Sequence, residues 1–325
     1  DDPAAMTDLP SGLRQTLVDE LLPPLLTSVR DVECDDGLTR KTVWRLHDGA
    51  TVESVLMRYP DRTTICVSSQ AGCGMNCPFC ATGQAGLTRN MSTAEIVEQV
   101  LAGARALDRG ELEGGPGRVT NVVFMGMGEP LANFANTWAA VERIHGDLGL
   151  GARHLTLSTV GLVPGIRRLA TAGLPVNLAV SLHAADNELR DELVPINRRY
   201  PIEQLVAACE EYHSATRRRL SLEWALIDGV NDRPADAARL ATFARDLRAH
   251  VNLIPLNPTP GYPVRGTAPD QVRAFRDRLA DRGVNVTVRD TRGTSIDAAC
   301  GQLAAGASSI AAPRRREGSR GTADH

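Results

Sequence analysis

The 325-residue sequence has no run of about 18 apolar residues, the length a membrane-spanning helix requires. Its first 30 residues hold no basic stretch followed by an apolar one, so nothing reads as a secretory signal. A cytosolic protein is expected. The chain also lacks an excess of either charge: 36 Lys and Arg against 39 Asp and Glu give a formal net charge of −3, which announces no nucleic-acid partner. Local basic clusters occur at Arg217, Arg218 and Arg219 and at Arg314, Arg315 and Arg316. Such a run is usually a solvated face, although it can also contact phosphates. The seven cysteines are an odd number, and in a reducing compartment they make a poor disulfide framework. Metal binding or redox chemistry is the reading that remains.

An apolar content of 42% is ample for a buried core, in one large α/β domain or two smaller ones. Strand-like and helical patterns alternate along it. A short strand-like run at 63–67 precedes a cysteine-rich loop. Ser92 with Glu95 then makes a capping-box signature, followed by Ile96, Val97, Val100, Leu101 and Ala104 at helical spacing. The alternation recurs at "RVTNVVFMGMGEP", at "HLTLSTVG" before Pro164, and at "LPVNLAVSLHA". It continues through "LSLEWALIDG", "HVNLIPLNP" and "VNVTVRD", with helical sequence such as 269–282 between. Strands alternating with helices at this spacing imply right-handed βαβ units and a parallel sheet. We expect a barrel or partial barrel, because polar and glycine-rich features fall after successive strands: the cysteines, "GMGEP", Ser158, Ser181 with His183, and Asn257. Residues 1–48 read as a short helical segment with Leu13, Leu17, Leu21 and Leu22 on one face. Residues 49–305 read as the main domain, and the tail 306–325 as disordered.

The stretch "CVSSQAGCGMNCPFC" places Cys66, Cys73, Cys77 and Cys80 within residues 66–80, the last three spaced C-x-x-x-C-x-x-C. Thiolates are soft ligands for iron–sulfur clusters or zinc, and Gly74 and Pro78 suit a tightly curled loop. A structural zinc site would want a fourth ligand, and no second C-x-x-C pair exists. A [4Fe–4S] cluster with one iron open to a ligand fits better. Taken alone, the other features have blander readings. Gly126, Gly128 and Glu129 could be an ordinary turn, His183 a satisfied core histidine, and Asn257 an Asx-turn residue. Glu53 in "TVESV" reads as an exposed strand carboxylate, and Cys66 and Cys209 as core cysteines.

The three-cysteine spacing after a first barrel strand resembles the radical S-adenosylmethionine (SAM) superfamily. With "GMGEPL" at 126–131, "STVGLVP" at 158–164, "SLHA" at 181–184, "NLIPLNP" at 252–258 and "IDAACGQL" at 296–303, residues 50–305 resemble the RlmN/Cfr family of RNA adenine methyltransferases, nearest its RlmN branch. The resemblance implies a partial (βα)6 barrel and one [4Fe–4S] cluster on Cys73, Cys77 and Cys80. It implies SAM bound by Gly128, Glu129, Ser158, Ser181, Leu182, His183 and Asn257, with two SAM consumed per methylation. It further implies methylation of adenosine carbon 2 in 23S rRNA, at the peptidyl-transferase centre, and in tRNA, beside the anticodon. Cys300 is then the methyl carrier, Glu53 the base, and Cys66 the thiol that releases product through a transient disulfide. An electron donor such as flavodoxin or ferredoxin and a monomeric state go with it. Family members begin with a longer helical domain, so the resemblance also implies a truncated amino-terminal part. Carbon 8, glycyl-radical activation and methylthiolation are the alternative reactions; the last wants extra amino-terminal cysteines, and only Cys34 precedes Cys66.

Overall fold

Asp35, Asp36 and Gly37 all take left-handed backbone conformations (φ 53°, 55° and 80°), a turn that suits Asp and Gly and little else. In the computed structural model, which describes residues 7–21, 24–259, 261–289, 292–299 and 301–303, this turn joins the strands β1 (Leu26–Cys34) and β2 (Thr39–Leu46). A second turn at Asp48 and Gly49 leads into β3 (Thr51–Arg58). Helix α1 is confined to Ser11–Leu21, and Leu13 on it is 53% exposed. Residues 26–46, expected within a helical segment, are therefore strands. β-branched residues and two Asp-Gly turns outweigh the leucine spacing upstream.

The remaining elements alternate as expected. They are β4 (Thr63–Cys66), β5 (Gln70–Gly72), α2 (Ala81–Gln84), β6 (Leu87–Asn90), α3 (Thr93–Asp108), β7 (Asn121–Phe124), α4 (Phe134–Gly146), β8 (Leu155–Thr159) and α5 (Val163–Ala170). Then follow β9 (Asn177–Ser181), α6 (Asn187–Leu193), α7 (Ile202–Thr216), β10 (Leu220–Leu226), α8 (Pro234–Asp246), β11 (His250–Pro255), α9 (Pro269–Ala280) and β12 (Val286–Val288). The predicted capping box is present: Ser92 Oγ accepts from Glu95 N at 3.3 Å, and Glu95 Oε2 accepts from Ser92 N at 2.8 Å. Pro164, Pro234 and Pro269 each stand in the first turn of a helix, where a missing amide hydrogen costs nothing.

Among the described residues one sheet runs β1-β2-β3-β4-β7-β8-β9-β10-β11-β12. β1 to β4 pair antiparallel, whereas β4, β7, β8, β9, β10, β11 and β12 are parallel in succession. Six longer parallel strands make the (βα)6 arrangement and the three-residue β12 adds a short edge, so the barrel stays open. One face of its strands is packed against the helices: Ile65, Val122, Leu157, Leu178, Trp224 and Leu253 share that face and are all buried, and Trp224 stacks on Phe275 of α9. Each such side chain contributes about 1.5–3 kcal/mol by leaving water. This core holds the parallel strands in register, and their carboxyl ends open into one cavity. Among the described residues no helix is long and apolar enough to cross a membrane. The predicted tail at 306–325 lies outside the described residues.

Candidate active site

The cavity draws its wall from the end of every parallel strand. The loop after β4 contributes Cys73, Cys77 and Cys80; β7 is followed by Gly126, Gly128 and Glu129; Ser158, Ser181, His183 and Asn257 come from β8, β9 and β11. The cysteine loop is framed rather than loose, since β5 and β6 pair antiparallel on either side of it. Its tight curl falls at Gly72 and Asn76 (φ 78° and 55°), not at Gly74, and a Cβ on Gly72 would meet Gly86 O at 2.0 Å. Burial pushes the Cys73 thiol up to about 12 and raises Cys77 as well, with neighbouring thiols adding to both. A metal would have to displace the protons that burial favours on these thiols. Among the described residues no three Cys, His, Asp or Glu side chains close on one metal-ligating point. The loop carries three soft donors by sequence, a number suited to a cluster with an open iron rather than to closed zinc.

Two glycines let the β7 loop press against the loop after β4. A Cβ on Gly126 would stand 2.7 Å from Val67 O, and one on Gly128 (φ 102°) would stand 2.6 Å from Gln70 Cβ. This packing seats Glu129, whose own amide donates to Gln70 Oε1 at 2.8 Å. Glu129 Oε1 accepts from Leu131 N at 3.0 Å and Oε2 from Val160 N at 2.9 Å. Burial nevertheless lifts its carboxyl to about 7, with those amides pulling the other way. With a further hydrogen bond from the Thr159 side chain, three of its roughly four lone-pair sites are used, and the one left can still accept from an ammonium. His183 has left-handed backbone (φ 58°), and its Nδ1 accepts from Ala225 N at 3.0 Å, leaving the ring proton on Nε2. Burial, with Arg190 assisting, lowers it to about 3, so it stays neutral. Leu182 does not join the lining: its side chain packs into the core, while its backbone bonds Glu223 O and Arg190 Nε.

A second cavity shares Met125, Ile254, Asn257, Arg289 and Leu303 with the first. Cys66, the last residue of β4, lines it together with Val55 and Met57 of β3. Glu53 occupies the same face of β3 two residues before Val55, although it is not part of the lining. Only 3% exposed, it is not the surface carboxylate its pattern suggests; Lys41 Nζ stands 3.6 Å from its Oε2. Cys300 lies outside the described residues, but its chain neighbours do not: Ala299 lines the second cavity and Gly301 the first. Arg217, Arg218 and Arg219 precede β10 at the opposite, amino-terminal end of the parallel strands, away from the site. Arg314, Arg315 and Arg316 lie outside the described residues.

Residues 67–241 match the family model of the radical SAM superfamily. A protein of Frankia alni named "Probable dual-specificity RNA methyltransferase RlmN" is 64% identical over 94% of this chain and 74% of its own length. The chain belongs to the RlmN family. A relative of the same name from Thermobifida fusca is 59% identical over 94% of this chain and 84% of its own. The crystal structure of a radical SAM methyltransferase from Sphaerobacter thermophilus superposes with a TM-score of 0.89 at 51% identity, covering 94% of this chain and 88% of that one.

Around this RlmN-family site stand residues that pattern reading passed over. Arg190 of α6 is fully buried and donates to the carbonyls of Val160 (2.6 Å), Ser181 (3.3 Å) and Leu182 (3.1 Å) and to Asn197 Oδ1 (2.8 Å). It ties together the ends of β8 and β9 that carry Ser158, Ser181 and His183. Asn231 Nδ2 donates to the carbonyls of His183 (2.8 Å) and Ala225 (2.7 Å), holding β9 to β10 in the same way. Glu223 also lines the first cavity, with Arg289 Nη1 3.7 Å from its Oε2. A charged residue amid apolar strand sequence, as in "LSLEWAL", was the available signal for Glu223; Arg190 sits in the polar run "NELRDEL", which offered none.

Proposed function

We propose that this chain methylates carbon 2 of an adenosine in 23S rRNA and tRNA, using Cys300 as methyl carrier and Cys66 as resolving thiol. The observation that carries this reading is the shared wall of the two cavities. The thiol loop and SAM-type residues line one, Cys66 lines the other, and the neighbours of position 300 divide between them. The relatives' name supports RNA as substrate. When bound by Cys73, Cys77 and Cys80, a [4Fe–4S] cluster would supply the single electron that makes SAM a radical source, with flavodoxin or ferredoxin as donor.

The chain's own residues do the rest. Glu129 and the backbone at Gly128 bind the SAM amino group, and Ser158, Ser181, neutral His183 and Asn257 orient the nucleoside. The adenine carbon is an amidine-type carbon, not a nucleophile, so the methyl travels by way of a protein sulfur. Cys300 takes the methyl of one SAM as a thiolate, releasing S-adenosylhomocysteine; a hydrogen atom of that methyl then leaves to the 5′-deoxyadenosyl radical of a second SAM, the carbon radical adds to the ring, and Glu53, 3.6 Å from Lys41 Nζ, takes the ring proton while one electron returns to the donor. Cys66 attacks the Cys300 sulfur; the carbon–sulfur bond breaks, a disulfide forms, and the released carbon picks up a proton to become the methyl. Mass spectrometry of nucleosides from RNA treated with the enzyme tests this. 2-Methyladenosine that disappears with Cys300→Ala is expected; 8-methyladenosine, or no modified adenosine, overturns the assignment.

A further inference from the structure

The backbone beyond position 300 is fastened to the thiol loop itself. Ala81, the residue after Cys80, donates its amide to Gly301 O at 2.8 Å, and Thr82 Oγ1 donates to Leu303 O at 2.5 Å. α2 has four residues and Cys80 provides no side-chain cap, so this distant segment takes the place of one. Gln302 adds a second anchorage: its Oε1 accepts from Ala299 N and its Nε2 donates to Pro258 O, both at 3.3 Å. Thr82 and Leu303 are both buried, so no water can substitute for the hydroxyl.

We propose that Thr82 is a positioning residue whose hydroxyl registers the segment bearing Cys300 against the loop bearing Cys73, Cys77 and Cys80. The inference rests on the reading of Cys300 as methyl carrier. A carrier must present one carbon to two partners in turn, and transfer requires reacting atoms held at about 3–3.5 Å. The Ala81 amide sets the distance of the segment from α2, while the Thr82 bond two residues further along fixes its rotation about that contact. Without the hydroxyl, the Leu303 carbonyl is buried and loses its partner, and the segment shifts to find another.

The test uses the full chain, reconstituted anaerobically with iron and sulfide and supplied with SAM, dithionite and an RNA that the wild type methylates. The readout is adenosine methylated per 5′-deoxyadenosine released, with iron per chain recorded for each variant. For Thr82→Val this ratio should fall about tenfold, the factor expected for a buried hydrogen bond lost with its acceptor stranded, and Thr82→Ser should restore it. Gln302→Leu, which leaves the thiol loop intact, should lower the ratio in the same direction and carries the test should Thr82→Val fail to hold iron. An unchanged ratio in these variants, or a Thr82→Ser protein as impaired as Thr82→Val, overturns the proposal. Cys300→Ala runs alongside: methylation surviving there breaks the carrier reading, whatever Thr82 does.

Discussion

The two adjoining cavities are built in different ways. The first is walled by loops that follow strands, where the chain is free to place thiols, glycines and hydroxyls without disturbing a ladder. The second takes its wall from the faces of β3, β4 and β7, through Val55, Met57, Cys66 and Val123. Chemistry on a strand face must share the space of a core residue, so Cys66 is packed as a core cysteine would be. On the proposed function, the contrast teaches that one catalytic centre can combine adaptable loops for a cofactor with a rigid sheet for the resolving thiol.

The largest effect that could break this contrast is at the loop thiols. Cys77→Ala should leave a folded chain that binds no cluster and has no measurable activity; iron assay and circular dichroism together check this. Stoichiometric zinc in the wild type, with no iron, would contradict it. Next, Cys66→Ala on the sheet side should cost only about 1 kcal/mol of stability, yet stop turnover after one event and leave RNA joined to protein. A band that resists denaturant but disappears with ribonuclease reports that adduct, and normal multiple turnover returns Cys66 to packing alone.

Much of the loop side was legible in the sequence, because its demands are local: a cysteine spacing, glycines that admit a close backbone, hydroxyls after apolar runs. The strand-side residues were legible only through the family resemblance. Glu53 in "TVESV" has the pattern of a surface carboxylate, and its burial arises from pairing with β2, which brings Lys41 to it. The amino-terminal strands are not legible, because leucine spacing upstream suggests a helix while the Asp-Gly turns that decide the matter are short. Arg190 was invisible, since its four acceptors come from three separate segments that only the fold assembles.

Arg190→Met sharpens the contrast on the loop side. Stranding buried carbonyls should destabilise the chain by roughly 2–4 kcal/mol and raise the KM for SAM more than it lowers kcat; urea denaturation and initial rates measure the two. Gly128→Ala should cost about 2–3 kcal/mol through its positive φ and the contact with Gln70. The smallest effect concerns pH. Burial holds the Glu129 carboxyl at about 7, and the SAM ammonium favours its ionised form, so affinity should rise with pH up to 7 and level off above. Calorimetric titration should find up to about tenfold per pH unit on the acid side, and Glu129→Gln should flatten that limb.

The bond from Thr82 to Leu303 spans 221 residues of sequence. During synthesis at about 5–20 residues per second, the thiol loop therefore waits roughly 10–45 s for the strand of chain that completes its first helix. The thiol loop is made early and the segment around position 300 late, so the order of translation is also the order of assembly. A chain interrupted near its end would hold every residue of the thiol loop and still lack the segment that finishes α2.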